Sequence, residues 1–113
     1  RDEQNPQAGF IVYKKGESIR CHLHKPVKRN IEGTPETLII REGKLNMLLF
    51  DADLEEIGEF ILEAGDVCML MGSGHGFEVL EDVVLMEIKQ GPYVGRDEDK
   101  RFLEKNEIKR LEK

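Results

Sequence analysis

The three histidines are the residues of this chain best suited to chemistry at a metal ion. His22 and His24 are separated by a single residue, and His75 directly follows a glycine-rich turn. In a β-strand, residues i and i+2 point to the same face, so His22 and His24 would hold two imidazoles side by side, about 7 Å apart. Imidazole nitrogens are common ligands of divalent transition metals. The pair is therefore a candidate metal-binding pair, and the alternative is an ordinary surface or core pair of histidines.

Short stretches of β-forming residues recur along the first 95 residues, about ten residues apart. Turn signals such as Glu42-Gly43 and Glu81-Asp82 separate them. We predict eight strands: Phe10–Tyr13, Ser18–His24, Thr37–Arg41, Lys44–Phe50, Gly58–Leu62, Asp66–Met71, Gly76–Leu80 and Val83–Lys89. A chain with many short strands forms a sandwich or a closed barrel, because these arrangements hide the sheet edges. The predicted fold class is all-β.

The composition changes at Arg96, after which charged residues dominate. Leu103, Ile108 and Leu111 form a loose apolar stripe in this segment. We predict a β-barrel domain over residues 1–95 and a charged C-terminal tail with a short helix over 96–113. The alternative is a frayed, solvated tail.

Composition and charge exclude several classes of protein. With 17 basic and 23 acidic residues the formal charge is −6, which argues against a nucleic-acid or anionic-membrane binder. Apolar runs stay far below the roughly 20 residues of a membrane span, and no secretory signal follows the start, so we expect a cytoplasmic protein. In that compartment Cys21 and Cys68 are expected to be reduced, buried thiols. The chain carries no phosphate-binding glycine loop, nucleophile elbow or CxxC motif.

The spacing around the histidines resembles the first motif of the cupin family, G(x)5HxH…E(x)6G. Gly16, His22, His24, Glu36 and Gly43 occupy the corresponding positions. The second cupin motif, G(x)5PxG(x)2H, is similar to the stretch from Gly65 through Met71 to Gly72-Ser73-Gly74-His75. Eleven residues separate His24 from Glu36, where three or four are usual. Met71 replaces the usual proline, and His75 comes one residue early.

The resemblance implies a double-stranded β-helix, or jelly roll, with a metal ion in its mouth. The implied ligands are His22, His24, Glu36 and His75. Such a set of nitrogen and oxygen donors suits one Fe, Mn, Ni, Co or Zn ion and leaves positions open for a substrate oxygen. The string from Glu87 to Tyr93 also resembles the end of a group of small bacterial cupins, which implies no particular activity.

Three further residues could contribute to this site. Arg20 shares a strand face with the two histidines and would either clamp an anion or form a structural ion pair. Glu87 and Lys89 share one face of the last predicted strand. They are either a solvated ladder outside the barrel or an acid and a base near the metal, with Glu87 as the catalytic proton carrier and Lys89 as a substrate-binding residue.

These residues favour a metal-dependent oxygenase or isomerase that acts on a small anionic molecule, such as an acidic sugar, a sugar phosphate or an oxo-acid. One alternative is a non-catalytic cupin that binds or senses a small ligand. Another is a metal-free isomerase, because the string His22-Leu23-His24-Lys25 resembles cupin sugar-nucleotide isomerases. Small jelly rolls often pair through an edge strand, so we expect a homodimer.

Overall fold

The computed structural model describes residues 6–109 of the chain, which divides into two compact units. The first unit is Arg1–Glu32 and the second is Gly33–Lys113. In the first unit, the described residues 6–32 form neither helix nor strand. They include a hydrogen-bonded turn, in which the Glu17 N–H donates to the Lys14 carbonyl at 3.1 Å.

The structure therefore has no strand at Phe10–Tyr13 or Ser18–His24, and both of these predictions are wrong for it. The physical reason is that a β-strand is stabilised by hydrogen bonds to a neighbouring strand and not by its own residues. Within residues 6–32 no backbone ladder of that kind is formed. The apolar side chains of both segments are exposed, among them Phe10, Val12 and Leu23.

The second unit is an open antiparallel sheet with little helix, so the all-β class is confirmed for the described part of the chain. Its central strand, β1, pairs with β2 and β3 along one edge and with β4 along the other. The strands are β1 (Glu36–Phe50), β2 (Glu56–Glu63), β3 (Val67–Leu70) and β4 (Gly74–Lys89).

Two pairs of predicted strands are continuous in the structure. Thr37–Arg41 and Lys44–Phe50 join into β1, while Gly76–Leu80 and Val83–Lys89 join into β4. The turn signal at Glu42-Gly43 marks shifts of register between β1 and β4. Gly43 adopts a φ of 86°, a left-handed conformation that glycine enters without steric cost. It makes an irregularity within a strand and not a turn between two strands.

This irregularity changes which residues of β1 face the core. Before it, the buried positions are Leu38 and Ile40; after it, they are Leu45 and Met47. Side chains alternate between the two faces of a strand, so an uninterrupted strand would have sent the second pair to the opposite face from the first. The irregularity keeps all four in one core, which they share with Leu70 of β3.

The connections show that the sheet is strongly bent. Leu70, the last residue of β3, pairs with Glu36 at the start of β1, and Gly74, the first residue of β4, pairs with Phe50 at its end. A straight strand of 15 residues spans about 50 Å, whereas the link from Leu70 to Gly74 reaches at most about 14 Å. The two ends of β1 must therefore lie close together.

The C-terminal segment has less helix than the predicted tail. A single turn of helix, α1, covers Arg96–Asp99, and a 3-10 turn covers Lys105–Glu107. A short helix does not offset its nucleation cost without packing, and neither element buries a residue. Ile108 lies beyond both elements, and Leu111 is outside the described residues. In residues 6–109 no helix is long and apolar enough to cross a membrane.

Gly43→Ala should destabilise the protein, because the added Cβ would overlap the backbone carbonyl of Asp82 and the residue would keep a left-handed φ. We expect a loss of about 3 kcal/mol in the free energy of unfolding. Gly76→Ala is the matched control, since a Cβ there meets no atom within 4 Å. Urea denaturation of the two variants measures the difference, and equal stabilities would contradict this account of the bend.

The two cysteines should differ in reactivity. Cys21 is exposed, contrary to the expectation of a buried thiol, and Cys68 is partly buried with its Sγ 3.8 Å from the Met47 sulfur. Burial raises the pKa of the Cys68 thiol, so less of the reactive thiolate is present at pH 8. We expect iodoacetamide to alkylate Cys68 at least about tenfold more slowly than Cys21. The single variants Cys21→Ser and Cys68→Ser assign the rates, which should converge in denaturant.

Candidate functional site

Glu36 is the first residue of β1 and lies on the core face of the sheet. It pairs with Lys89, and two residues further on Leu38 pairs with Glu87. Directly opposed residues of an antiparallel pair share a face, so Glu36, Lys89 and Glu87 lie on the same face as the buried Leu38. The opposite face of β4 carries Met86 and Ile88, which are exposed.

The sequence left open whether Glu87 and Lys89 line a pocket or form a solvated ladder outside the barrel. In the structure they lie on the face of Glu36 and of the core.

His75 lies on the corresponding face of the other half of the sheet. It pairs with Leu49, and Phe77 pairs with the buried Met47. The rings of His75 and Phe77 are 5.7 Å apart between centroids. His75 and Glu36 therefore belong to the two halves of a single face, which the bend in β1 turns toward each other.

The bend brings Glu36 and His75 into contact, with Glu36 Oε2 3.3 Å from His75 Nε2. The Glu36 side chain is 11% accessible and that of His75 is 29% accessible. The Nδ1 of His75 lies 3.2 Å from the Ser73 carbonyl oxygen. Because a carbonyl only accepts hydrogen bonds, Nδ1–H donates there, and Nε2 faces the carboxylate. A proton or a cation shared by the two groups would stabilise this arrangement.

The distance between these two donor atoms is compatible with adjacent ligands of one metal ion. With metal–ligand bonds of about 2.1 Å, neighbouring donors lie about 3.0 Å apart on an octahedral ion and about 3.4 Å apart on a tetrahedral one. The observed 3.3 Å falls within that range. The hydrogen bond of Nδ1 to a backbone carbonyl is also the usual outer contact of a metal-bound histidine.

A second polar group is centred on Lys89. Its Nζ lies 3.4 Å from Glu87 Oε1 and 4.0 Å from Asp99 Oδ2, and it stands over the ring of Tyr93 at 5.4 Å from the centroid. Asp99 is 10% accessible and accepts a hydrogen bond of 2.6 Å from the Thr34 hydroxyl. Two carboxylates thus share one ammonium group, and an anionic ligand would have to compete with them for Lys89.

His22 and His24 lie in the first unit, where their rings are 5.2 Å apart between centroids. The Nδ1 of His22 is 2.8 Å from the carbonyl oxygen of Arg20, so Nδ1–H donates locally and Nε2 is left to accept or to ligate. Arg20, the third candidate of this segment, is exposed.

The structure therefore forms two pairs from the four proposed ligands, one in each unit. Within residues 6–109, no group of three or more histidine, cysteine, aspartate or glutamate side chains is placed to hold a metal ion. Glu36 with His75, and His22 with His24, are the associations that it contains.

Sequence reasoning missed Asp99, Thr34 and Tyr93, which surround Lys89. Asp99 lies in the charged segment after Arg96, where its composition resembles that of its solvated neighbours. In the structure Asp99 ends the four-residue helix Arg96–Asp99 and reaches the residues before β1 through its contact with Thr34. The sequence gives no indication of that long-range contact.

In comparisons with known proteins, no family model, curated protein or solved structure matches the chain.

Asp99→Asn and Thr34→Val should each destabilise the protein by about 1 kcal/mol, because each leaves a partly buried hydrogen-bonding group without its partner. The double variant should cost less than the two single variants together, since the two residues share one interaction. Urea denaturation of the four proteins in the cycle measures this coupling. Glu87→Gln is the control on the more exposed side of Lys89 and should change stability by less than about 0.5 kcal/mol. Strict additivity would show that the Thr34–Asp99 contact contributes no stability.

Proposed function

We propose that the chain is a cupin whose bent sheet forms part of a double-stranded β-helix. Three features of the second unit support this. The strands β1 and β4 each run through both halves of the sheet. The two halves present their core faces to each other, as the contact of Glu36 with His75 requires. Finally, the irregularity at Gly43 falls at the glycine that ends the first cupin-like motif.

We propose further that His22, His24, Glu36 and His75 hold one divalent transition metal ion. The observation that carries this proposal is the 3.3 Å approach of Glu36 to His75, which lie in different motifs and at opposite ends of the β1 ladder. A carboxylate of low exposure that faces an imidazole nitrogen fits a metal ligand pair. Fe, Mn, Ni, Co and Zn are the candidates that such donors accept.

The proposed activity is that of a metal-dependent oxygenase or isomerase acting on a small anionic molecule. When bound, the ion would supply Lewis-acid chemistry to a substrate oxygen. Glu87 lies on the face of Glu36 and is the candidate for moving a proton at its carboxylate oxygen. Lys89 holds that carboxylate at 3.4 Å. Arg20 is the candidate for binding the substrate anion, because its guanidinium can engage a carboxylate or phosphate by two hydrogen bonds.

A metal-free isomerase is the second candidate, and it is favoured by the same contact. An imidazole whose Nδ1 donates to a backbone carbonyl and whose Nε2 faces a carboxylate is an arrangement that can pass a proton to and from a substrate. The metal content of the purified protein separates the two candidates, because acid–base catalysis by His75 and Glu36 requires no metal ion.

The purified protein, prepared without an affinity tag or chelator, should contain about one equivalent of transition metal per chain. Glu36→Gln and His75→Ala should each lower the metal content at least about tenfold, since loss of one of four ligands weakens binding strongly. Inductively coupled plasma mass spectrometry of the dialysed proteins measures this. Added metal should also raise the melting temperature of the wild-type protein and leave that of the variants unchanged.

Glu78→Gln is the matched control, because Glu78 lies in β4 but its parity places it on the face opposite His75. It should retain the wild-type metal content. A wild-type protein that takes up none of the five metals would overturn the metalloenzyme and support the acid–base candidate. Full loading together with no turnover of acidic sugars, sugar phosphates or oxo-acids would favour the non-catalytic ligand-binding cupin.

A further inference from the structure

The strap, as we call residues 90–109, follows β4 and is fixed at two places in the second unit. The first place is beside Glu36. There the hydroxyl of Thr34, two residues before Glu36, donates a hydrogen bond of 2.6 Å to the Asp99 carboxylate. Because Glu36 is the first residue of β1, this contact fixes the strap at the start of the central strand.

The second place is at the other end of β1. The Lys109 carbonyl accepts a hydrogen bond of 2.8 Å from the Glu56 N–H. Glu56 pairs with Phe50, the last residue of β1, and Phe50 pairs with Gly74, the neighbour of His75. The strap therefore crosses the same end of the bent sheet at which His75 meets its carboxylate partner.

The strap is held less firmly than the sheet that it crosses. Within residues 90–109 no residue is buried, and the apolar side chains of Leu103 and Ile108 are only half-buried. Phe102 is exposed. An element with few buried apolar contacts opens locally at a lower free energy than the core strands do. The polar contacts at the two ends of the strap therefore decide how often it opens.

The carboxylate of Asp99 occupies a place with the chemistry of carboxylate recognition. The Thr34 hydroxyl donates to it, the Lys89 ammonium lies 4.0 Å away, and the Asp99 side chain is only 10% accessible. A hydrogen bond and a positive charge replace the water that this carboxylate has lost. Lys89 pairs with Glu36 in the sheet, so this place adjoins the candidate site.

We propose that the strap is a lid over the contact of Glu36 with His75, and that Asp99 is its latch in a site that also binds a small carboxylate. The latch and a free carboxylate require the same donors, Thr34 and Lys89, so each excludes the other. A ligand that binds only when the latch is out shifts the strap toward its open state.

The charges around Lys89 favour a carboxylate over a phosphate as this ligand. Replacement of the Asp99 carboxylate by a free one leaves the local charge unchanged, whereas a phosphate dianion would add a negative charge beside Glu87, which lies 3.4 Å from Lys89. The inference rests on the proposed function in one respect, because this carboxylate would belong to its substrate. It selects an acidic sugar or an oxo-acid over a sugar phosphate.

The rate at which diethyl pyrocarbonate modifies His75 tests the lid. The full chain is treated with a chelator, so that no metal ion protects the ring, and peptide mass spectrometry measures the modification. Asp99→Ala and Thr34→Val should each raise the rate at His75 at least about threefold, because the lid opens more often. Asp97→Ala, which alters an exposed carboxylate of the same helix, is the matched control and should leave the rate unchanged.

Alkylation of Cys68 by iodoacetamide shows whether the sheet itself has opened in these variants. Cys68 packs against the core, so opening of the lid alone should leave its rate unchanged. A His75 rate that is unchanged in both variants would overturn the lid. A His75 rate that rises only in step with that of Cys68 would also overturn it, because the whole sheet would then be opening.

Acetate binding to Asp99→Ala tests the carboxylate site. Sodium acetate should raise the melting temperature of this variant at least about 2 °C more than it raises that of the wild type, in which Asp99 fills the site. Sodium chloride at equal ionic strength is the salt control, and addition of Thr34→Val should remove the excess.

An acetate effect equal in Asp99→Ala and the wild type would overturn the carboxylate site, and a larger effect of inorganic phosphate would overturn the choice of carboxylate. Neither the rate at His75 nor the melting temperature involves a metal ion. A chain that binds no metal would therefore reject the proposed metalloenzyme without affecting either test.

Discussion

The close approach of Gly43 to the backbone of Asp82 is the constraint on which the second unit depends. At this point the two longest strands leave regular register together, and any side chain at position 43 would occupy the space of the Asp82 carbonyl. The shift of register at this point keeps the apolar side chains of β1 before and after it on one face. The same irregularity allows β1 to bend, so that its two ends lie close together. The even-numbered core residues before it and the odd-numbered ones after it therefore share a single core.

The local sequence pattern is sufficient to predict part of this architecture. Alternating apolar residues located all four strands of the second unit. The resemblance to the cupin motifs predicted that Glu36 and His75 lie near each other, and the structure brings the two side chains into contact. The pattern failed where structure depends on a partner. Phe10–Tyr13 and Ser18–His24 have strand composition, yet composition does not supply the neighbouring backbone that a strand needs. The residue types at positions 42–43 and 81–82 predict chain reversals, whereas the structure has shifts of register there, because a bulge and a turn use the same residue types.

The polar contacts of the candidate site show how charge is distributed over a face that is otherwise apolar. Glu36 is held by an imidazole, and Asp99 by a hydroxyl and an ammonium group. Three carboxylates, Glu36, Glu87 and Asp99, face one ammonium group, because Lys89 contacts both Glu87 and Asp99. The resulting field favours a cation near Glu36 and opposes an anion there unless a cation is already bound. If the proposed function is correct, the metal ion would have to be bound before an anionic substrate could approach Glu36.

The pairing of Glu36 with His75 also has a consequence for the order of folding. These residues sit at opposite ends of the β1 ladder, so their contact exists when both halves of the sheet have formed and the bend has closed. A partly folded chain that has paired only one half offers one member of the pair and not the other. A ligand that requires both binds the finished sheet alone, and its free energy of binding adds directly to the cost of peeling β4 away. A ligand that binds both residues would therefore stabilise the closed sheet against local opening at either end of β1.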